Sequence, residues 1–546
     1  MILDAKKILT IILRKTGLGM LYLLCCGPLI AQPSLPRLTV VRGRPQLIVD
    51  SKPFLILGGE LGNSTATSLE NMAPVWPRLK AMNLNTVLMP VYWELVEPVE
   101  GQFDFSLYRD LILEARKSGL KLVFLWFGVW KNSMSSHVPA WIKLNTARFP
   151  RAKSDQGISQ EILSAFSEPV LQADIKAFEA LMAFVKEVDI QDHTVIMVQV
   201  ENEVGMLPSA RDHQALAQAA FIKPVPSVLM NYLVAHQKEL PAELAASWQT
   251  NGQKLKGTWI EVFGVSPQTE EYFMAFQYSS FLNRLAAAGK RIYPLPMYAN
   301  AALNRPGRLP GEYPSAGPLP HLLDIWKGAG HDLDFLSPDF YNPDFKQWCD
   351  AYTRQGDPLF IPEHAFDATA PVKALYSIGH YDGLGFSPFS IESKNENSES
   401  LAKAYGVINH IQDLLGTHQK EGILLSKSNP EVSFTMGEYD FTCKHDYTLS
   451  WTPGSRLDVW PSAGAIVIQT GPKEFYVAGT GVVITFKKHH DPMINVGLLK
   501  VDEGTFENHI WKTSRHLNGD QTHQGRHINI PTTQYATQKV VLYDYE

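Results

Sequence analysis

A short, nearly unbroken apolar run recurs eight times between residues 53 and 390, and helical patterns separate many of the repeats. The runs are PFLILGG (53–59), NTVLMPVYW (85–93), LKLVFLWFG (120–128), TVIMVQVENE (194–203), RIYPLPMYAN (291–300), DFLSPDFY (334–341), PLFIPEHA (358–365) and GLGFSPFS (383–390). A strand reads this way when it is buried on both faces, because helices cover one side and an interior lies on the other. The clearest intervening helix places Leu171, Ile175, Phe178, Leu181 and Val185 at three- and four-residue steps along one face. Eight such strands alternating with helices predict an α/β fold of the TIM (β/α) barrel type. A doubly wound open sheet is the rival. It often carries a glycine-rich phosphate turn after its first strand, and that turn is missing here.

The series closes with an amphipathic helix over 398–416. From about Pro430 the pattern changes to alternating apolar and polar residues with frequent Gly and Pro, as in SAGAIVIQTGPKEFYVAGTGVVITFKK. That is the signature of a β-sandwich. Ahead of the first run, LTVVRGRPQLIVDSKP reads as a hairpin that closes the base of the barrel. The expected organisation is a signal peptide at 1–31, a hairpin at 32–52, a catalytic barrel at 53–416 and a C-terminal sandwich at 417–546.

The N-terminal segment has Lys6, Lys7, Arg14 and Lys15 before a short apolar stretch that ends in small residues near Ala31. This predicts secretion to the periplasm, the outer-membrane surface or the exterior. The stretch is too short for a membrane span. Cys25 and Cys26 leave a lipid anchor open, although Leu24 is a poor residue before a lipidated cysteine. Of the remaining cysteines, Cys349 and Cys443 fall in different expected domains, which disfavours a disulfide. A net charge of −6 without long charged runs excludes phosphate tracking along nucleic acid as the main task and fits an uncharged substrate. Nothing in the spacing of His and Cys calls for a metal, and oligomeric state is not legible.

Catalytic side chains of TIM barrels sit where strands end. Two runs end in a glutamate, VQVENEVG at Glu203 and FIPEHA at Glu363. Retaining hydrolysis of a glycosidic bond needs an acid beside the departing oxygen and a carboxylate about 5 Å away to attack the anomeric carbon. Glutamates on the fourth and seventh strands meet that need, because strand ends face one another across the mouth. Asn202 can aim an amide at a sugar hydroxyl. Glu201 supplies a like charge of the kind that favours a protonated acid. Trp93, Trp126 and Trp130 lie at or near strand ends where sugars stack, and Trp130 is favoured because it follows its strand. Glu97 and Asp104 read as turn residues, His364 and His380 as packing or loop residues.

The string VQVENEVG resembles the signature of glycoside hydrolase family 35, β-galactosidases built on a TIM barrel. GGELGNS (58–64), PVYWELVEPVEGQFDF (90–105) and VPAWI (138–142) follow in the family's order, and LNGDQTHQGRHI (517–528) resembles the β-rich C-terminal module of bacterial members. The resemblance implies a retaining β-galactosidase with no cofactor. Glu203 would be the acid/base, Glu363 the nucleophile and Asn202 the residue holding the sugar 2-hydroxyl. It also implies a tyrosine bonded to the nucleophile, for which Tyr341 and Tyr298 compete. Family members usually grip galactose with a tyrosine and a glutamate after the second and third strands. Here Asn132 stands at the glutamate position and Tyr92 is offset from the tyrosine position, which leaves a retaining β-glucosidase, β-mannosidase or endo-acting enzyme open. A binding protein without catalysis is a third reading, opposed by the presence of both carboxylates. Similar exported bacterial enzymes remove galactose from xyloglucan side chains, which makes that polymer the expected substrate.

Overall fold

The computed structural model describes residues 34–303, 307–342, 344–393 and 395–546. The predicted signal segment, with Cys25 and Cys26, lies outside the described residues. No helix among the described residues is long and apolar enough to cross a membrane.

Eight parallel strands close into a barrel: β1 (Ile56–Glu60), β2 (Thr86–Tyr92), β3 (Lys121–Lys131), β4 (Val195–Asn202), β5 (Met297–Ala302), β6 (Phe335–Phe340), β7 (Phe360–His364) and β8 (Gly385–Pro388). Strand order round the barrel follows chain order, and β8 pairs with β1. Closure needs small residues at that seam. A Cβ on Gly385 would stand 2.5 Å from the Ile56 carbonyl oxygen, and one on Gly58 would meet Ser387 Oγ. Every residue of β1, β2 and β4 is buried, which is why these strands read as continuous apolar runs.

The outer layer includes α1 (Glu168–Asp189), α2 (Pro267–Ile292), α3 (Ala370–His380) and α4 (Ser398–Leu415). Ser167 caps α1, accepting the Val170 N–H, and Leu171, Phe178, Leu181 and Val185 are buried as their spacing predicts. The fifth strand departs from expectation. Arg291 and Ile292 form the last turn of α2, and Pro294 and Pro296 offer no N–H to a ladder, so the strand begins only at Met297.

At the barrel's base the strands Arg37–Val41 and Arg44–Val49 pair antiparallel. Asp50, just beyond them, bonds His193 at 2.8 Å and Lys121 at 3.2 Å, beside the starts of β4 and β3. The C-terminal part is a sandwich. One sheet has six strands in the order Gln419–Leu425, Ala463–Gly471, Glu474–Thr480, Ala536–Tyr545, Asn495–Glu507 and Ile510–His516. The other has four: Glu431–Met436, Tyr439–His445, Val482–Lys488 and Ile528–Ile530. Phe441, Phe475, Val477 and Ile484 are among the residues packed between them. Cys349 in the barrel and Cys443 in the sandwich are both buried free thiols.

Candidate active site

The site is assembled from strand ends. Asp339 on β6 and Glu363 on β7 are direct partners in the parallel register, as are Lys131 on β3 and Asn202 on β4. Glu203 follows β4. One carboxylate oxygen from each of Glu203, Asp339 and Glu363 lies within 4.8 Å of the other two. The two glutamates separated by 160 positions therefore meet in space, at a spacing that suits retaining glycoside hydrolysis. Three oxygens at this separation are also a spacing that a small cation accepts.

The backbone of β4 explains why neighbouring acids point to different places. Glu201 and Glu203 both adopt left-handed conformations, with φ of 62° and 44°. β3 bulges against β4 between Trp126, opposite Val200, and Lys131, opposite Asn202. Glu201 turns into that bulge and accepts the backbone N–H groups of Gly128, Val129 and Trp130 at 3.3, 2.9 and 2.8 Å. It also faces buried Asp174 on α1, and burial with that like charge pushes the Glu201 carboxyl well up. Asp174, bonded by Trp126 Nε1 at 2.9 Å, is pushed up to about 7 by burial. Glu201 is thus not the like-charged neighbour of Glu203 that its place in the sequence suggested. Asp339 and Glu363 are.

Glu203 is held from several sides. Asn132 Nδ2 donates to its carboxylate, Asn300 Oδ1 accepts its N–H at 2.9 Å, and Ser133 Oγ donates to its carbonyl at 2.6 Å. Asn300 Nδ2 in turn donates to Asp339 at 2.6 Å, linking β5 and β6 to the acid on β4. Lys131 Nζ donates to Asn202 Oδ1 at 2.7 Å. A lysine can only donate, so this bond fixes the amide's orientation and leaves Asn202 Nδ2 as an unpartnered donor. That is the group a sugar hydroxyl can accept from.

On the opposite side the Tyr341 hydroxyl donates to Glu363 Oε1. Burial, then the charge of Glu203, pushes Glu363 up to about 7 against the opposing pull of Lys131 and Tyr341. The same burial and mutual repulsion push Glu60, at the end of β1, and Asp339 well above the usual carboxylate range.

Of the expected sugar contacts, Asn202, Asn132 and Tyr341 reach the site. Tyr341 lies at the rim with its ring exposed. Tyr298 does not rival it. Its ring is fully buried against Phe335 and Phe360, beneath the carboxyls. Trp130 is also fully buried, edge-on to Tyr278 and Phe281 at 5.2 and 4.8 Å, so it packs behind the barrel wall instead of stacking on a ligand. Trp93 and Trp126 are engaged the same way, their indole N–H groups on Glu97 and Asp174. Tyr92 is sealed edge-on against Phe127 and His137 and does not face the carboxyls. Glu97 and Asp104 serve turns: Glu97 accepts the Gly101 N–H at 2.7 Å, and Asp104 accepts that of Ser106 at 2.9 Å. His364 packs between Phe345 and Phe386. Four residues of the site went unread in the sequence: Glu60, Lys131, Asn300 and Asp339. The rule that singled out Glu203 and Glu363, an acid closing an apolar run, also fits Glu60 in LILGGE and Asp339 in FLSPDF.

Residues 46–278 match the family model described as glycosyl hydrolases family 35. The match covers less than half of the chain. The family 35 match takes in Asn202 and Glu203 and ends before Glu363. Residues 401–529 match a second model, a domain of unknown function, DUF5597. Over 191 residues the chain is 28% identical to human beta-galactosidase-1-like protein 3, covering 33% of this chain and 26% of that protein. Over 190 residues it is 27% identical to a beta-galactosidase of Xanthomonas manihotis, covering 33% and 28%. The chain thus spans little more than a quarter of either relative. A solved beta-galactosidase from Bacillus circulans sp. alkalophilus is similar over 67% of this chain and 57% of that one, with 13% identity and a TM-score of 0.45.

Proposed function

We propose that this chain is a retaining β-galactosidase that removes terminal β-linked galactose. The observation that carries the reading is the approach of buried Glu203 and Glu363 oxygens to within 4.8 Å at the strand ends of the barrel. At that separation no water fits between an attacking carboxylate and the anomeric carbon, so Glu363 itself forms the bond. Glu203 gives its proton to the departing glycosidic oxygen as the C1–O bond breaks and Glu363 bonds C1. It then takes a proton from water, whose oxygen displaces Glu363 and restores the free sugar with its original configuration. Asn202, its amide set by Lys131, holds the 2-hydroxyl. Tyr341 orients Glu363.

The galactose assignment is supported by the family 35 match and by the named activities of the relatives. The preferred natural substrate is a galactose-capped xyloglucan side chain, and residues 1–31 are read as an export signal. Both proposals rest on the sequence resemblance. Another β-linked sugar is favoured by one observation: Asn132, at the position where the family usually has a galactose-gripping glutamate, is engaged with Glu203.

The test is hydrolysis of a panel of nitrophenyl glycosides, followed by galactose release from plant oligosaccharides compared with lactose. The β-galactoside should be cleaved fastest, with the β-anomer as first product, and Glu363→Ala should abolish turnover in a folded protein. Preference for a different glycoside overturns the sugar, an inverted product overturns the mechanism, and undiminished turnover by Glu363→Ala overturns the nucleophile.

A further inference from the structure

The pocket holds more carboxyls than double displacement uses. Glu60 ends β1 with its side chain fully buried, and neither of its oxygens has a hydrogen-bond donor. It interacts with the carboxyl of Glu363, whose charge opposes the ionisation of Glu60. Glu363 Oε1 accepts from Tyr341, whereas Oε2 has no donor. Three buried carboxylate oxygens on two interacting acids, all without a donor, make an arrangement that two ionised acids cannot sustain. One proton on either acid satisfies it. A buried acid without a donor costs more to ionise than one that keeps a phenol hydrogen bond. Glu363 has that bond and Glu60 does not, so the proton belongs on Glu60.

We propose that Glu60 is a positioning residue for the nucleophile: a sealed carboxylic acid whose O–H donates to Glu363 and keeps Glu363 ionised and aimed. This rests on the assignment of Glu363 as nucleophile. The titratable groups in electrostatic contact with Glu60 are Lys131 on β3, Glu203 after β4, Tyr298 on β5, Asp339 on β6, Tyr341 just after β6 and Glu363 on β7. Lys131 is the single cation among them, and it cannot neutralise four carboxylates. The proton remains on Glu60 throughout the cycle. The bond formed is Glu363 O–C1 and the bond broken is C1–O of the leaving group, so Glu60 contributes only its hydrogen bond. Without it the nucleophile, buried beside Glu203 and Asp339, would take up the proton itself and cease to be nucleophilic.

The experiment is the pH profile of kcat/KM for Glu60→Gln and Glu60→Leu, with infrared difference spectra of the protonated carboxyl stretch. An amide can still donate to Glu363, so Glu60→Gln should stay within about tenfold of wild type. Glu60→Leu removes the donor at similar volume. It should lose roughly a hundredfold at mildly acidic pH, which is its acidic limb moved up by about two pH units. Wild type at neutral pH should show a carboxylic-acid band that Glu60→Gln lacks. An acidic limb that moves down shows Glu60 to be a neighbouring anion, and a limb that stays shows it to be filler; either overturns the proposal. Where Glu60→Leu does not fold, the band and the Glu60→Gln profile decide. If wild type cleaves no glycoside, the functional reading fails alone, and the infrared band still settles where the proton sits.

Discussion

Glu363 costs the fold stability, and the direction follows from its surroundings. Folded, it keeps its proton up to about pH 7, because burial and the Glu203 charge oppose ionisation. In an unfolded chain a glutamate ionises at about 4.3. Between those values the native state binds more protons than the unfolded state, so stability falls as pH rises through the window, and the loss is complete above about 7. Glu363→Gln removes the penalty and keeps the shape. The variant should be more stable than wild type by roughly 1–3 kcal/mol at about pH 8, and the gain should shrink to nothing near pH 4. Paired denaturant titrations at the two pH values check this. A gain equal at both would mean that packing, and not ionisation, set the cost.

At the scale of elements, the bulge in β3 decides where Lys131 and Asn132 stand, and Glu201 holds the bulge. Its carboxylate takes up three backbone N–H groups that the irregular ladder leaves without partners. Glu201→Ala would strand all three in the interior, at about 1–3 kcal/mol each before relaxation. The expected result is a loss of roughly 3–5 kcal/mol in chemical denaturation, with weakened catalysis in the fraction that folds, because Asn132 no longer meets Glu203. A loss below about 1 kcal/mol would mean that the bulge holds itself.

The same element shows what was legible in the sequence. All eight strands could be read, because a strand buried on both faces carries its burial in its composition. Glu203 and Glu363 could be read because each is an acid placed where such a strand meets the barrel's mouth. The direction of Glu201 could not, since two left-handed residues and a bulge in a different strand set it. The burial of Trp130 behind the wall depends on Tyr278 and Phe281 from α2, about 150 positions onward. Glu60 and Asp339 obey the rule that found Glu203 and Glu363, but only the closed barrel shows that four strand ends converge.

For the whole molecule, the question is whether the sandwich is a passenger or a buttress. The barrel's apolar core does not stop at its helices: it continues into Ile466, Ile468 and Ala478 of the six-stranded sheet. α3, which follows the strand bearing Glu363, meets that sheet backbone to backbone. A Cβ on Gly422 would lie 2.7 Å from both the His380 nitrogen and the Tyr376 carbonyl oxygen, and one on Gly379 would lie 2.8 Å from Gly422 Cα. Neither backbone can yield without moving its whole element, so Gly422→Val must push α3 and the sheet apart. The expected cost is about 1–3 kcal/mol. Catalysis should suffer more than stability does, because displacing a reacting group by about 1 Å costs on the order of a hundredfold in rate. The loss should fall on kcat, since Asn202 and Asn132 belong to strands on the other side of the barrel. Calorimetry of the variant should resolve two melting transitions where wild type gives one, as barrel and sandwich uncouple. A variant that melts once at the wild-type temperature with unchanged kcat would show that the contact at Gly422 transmits nothing to β7.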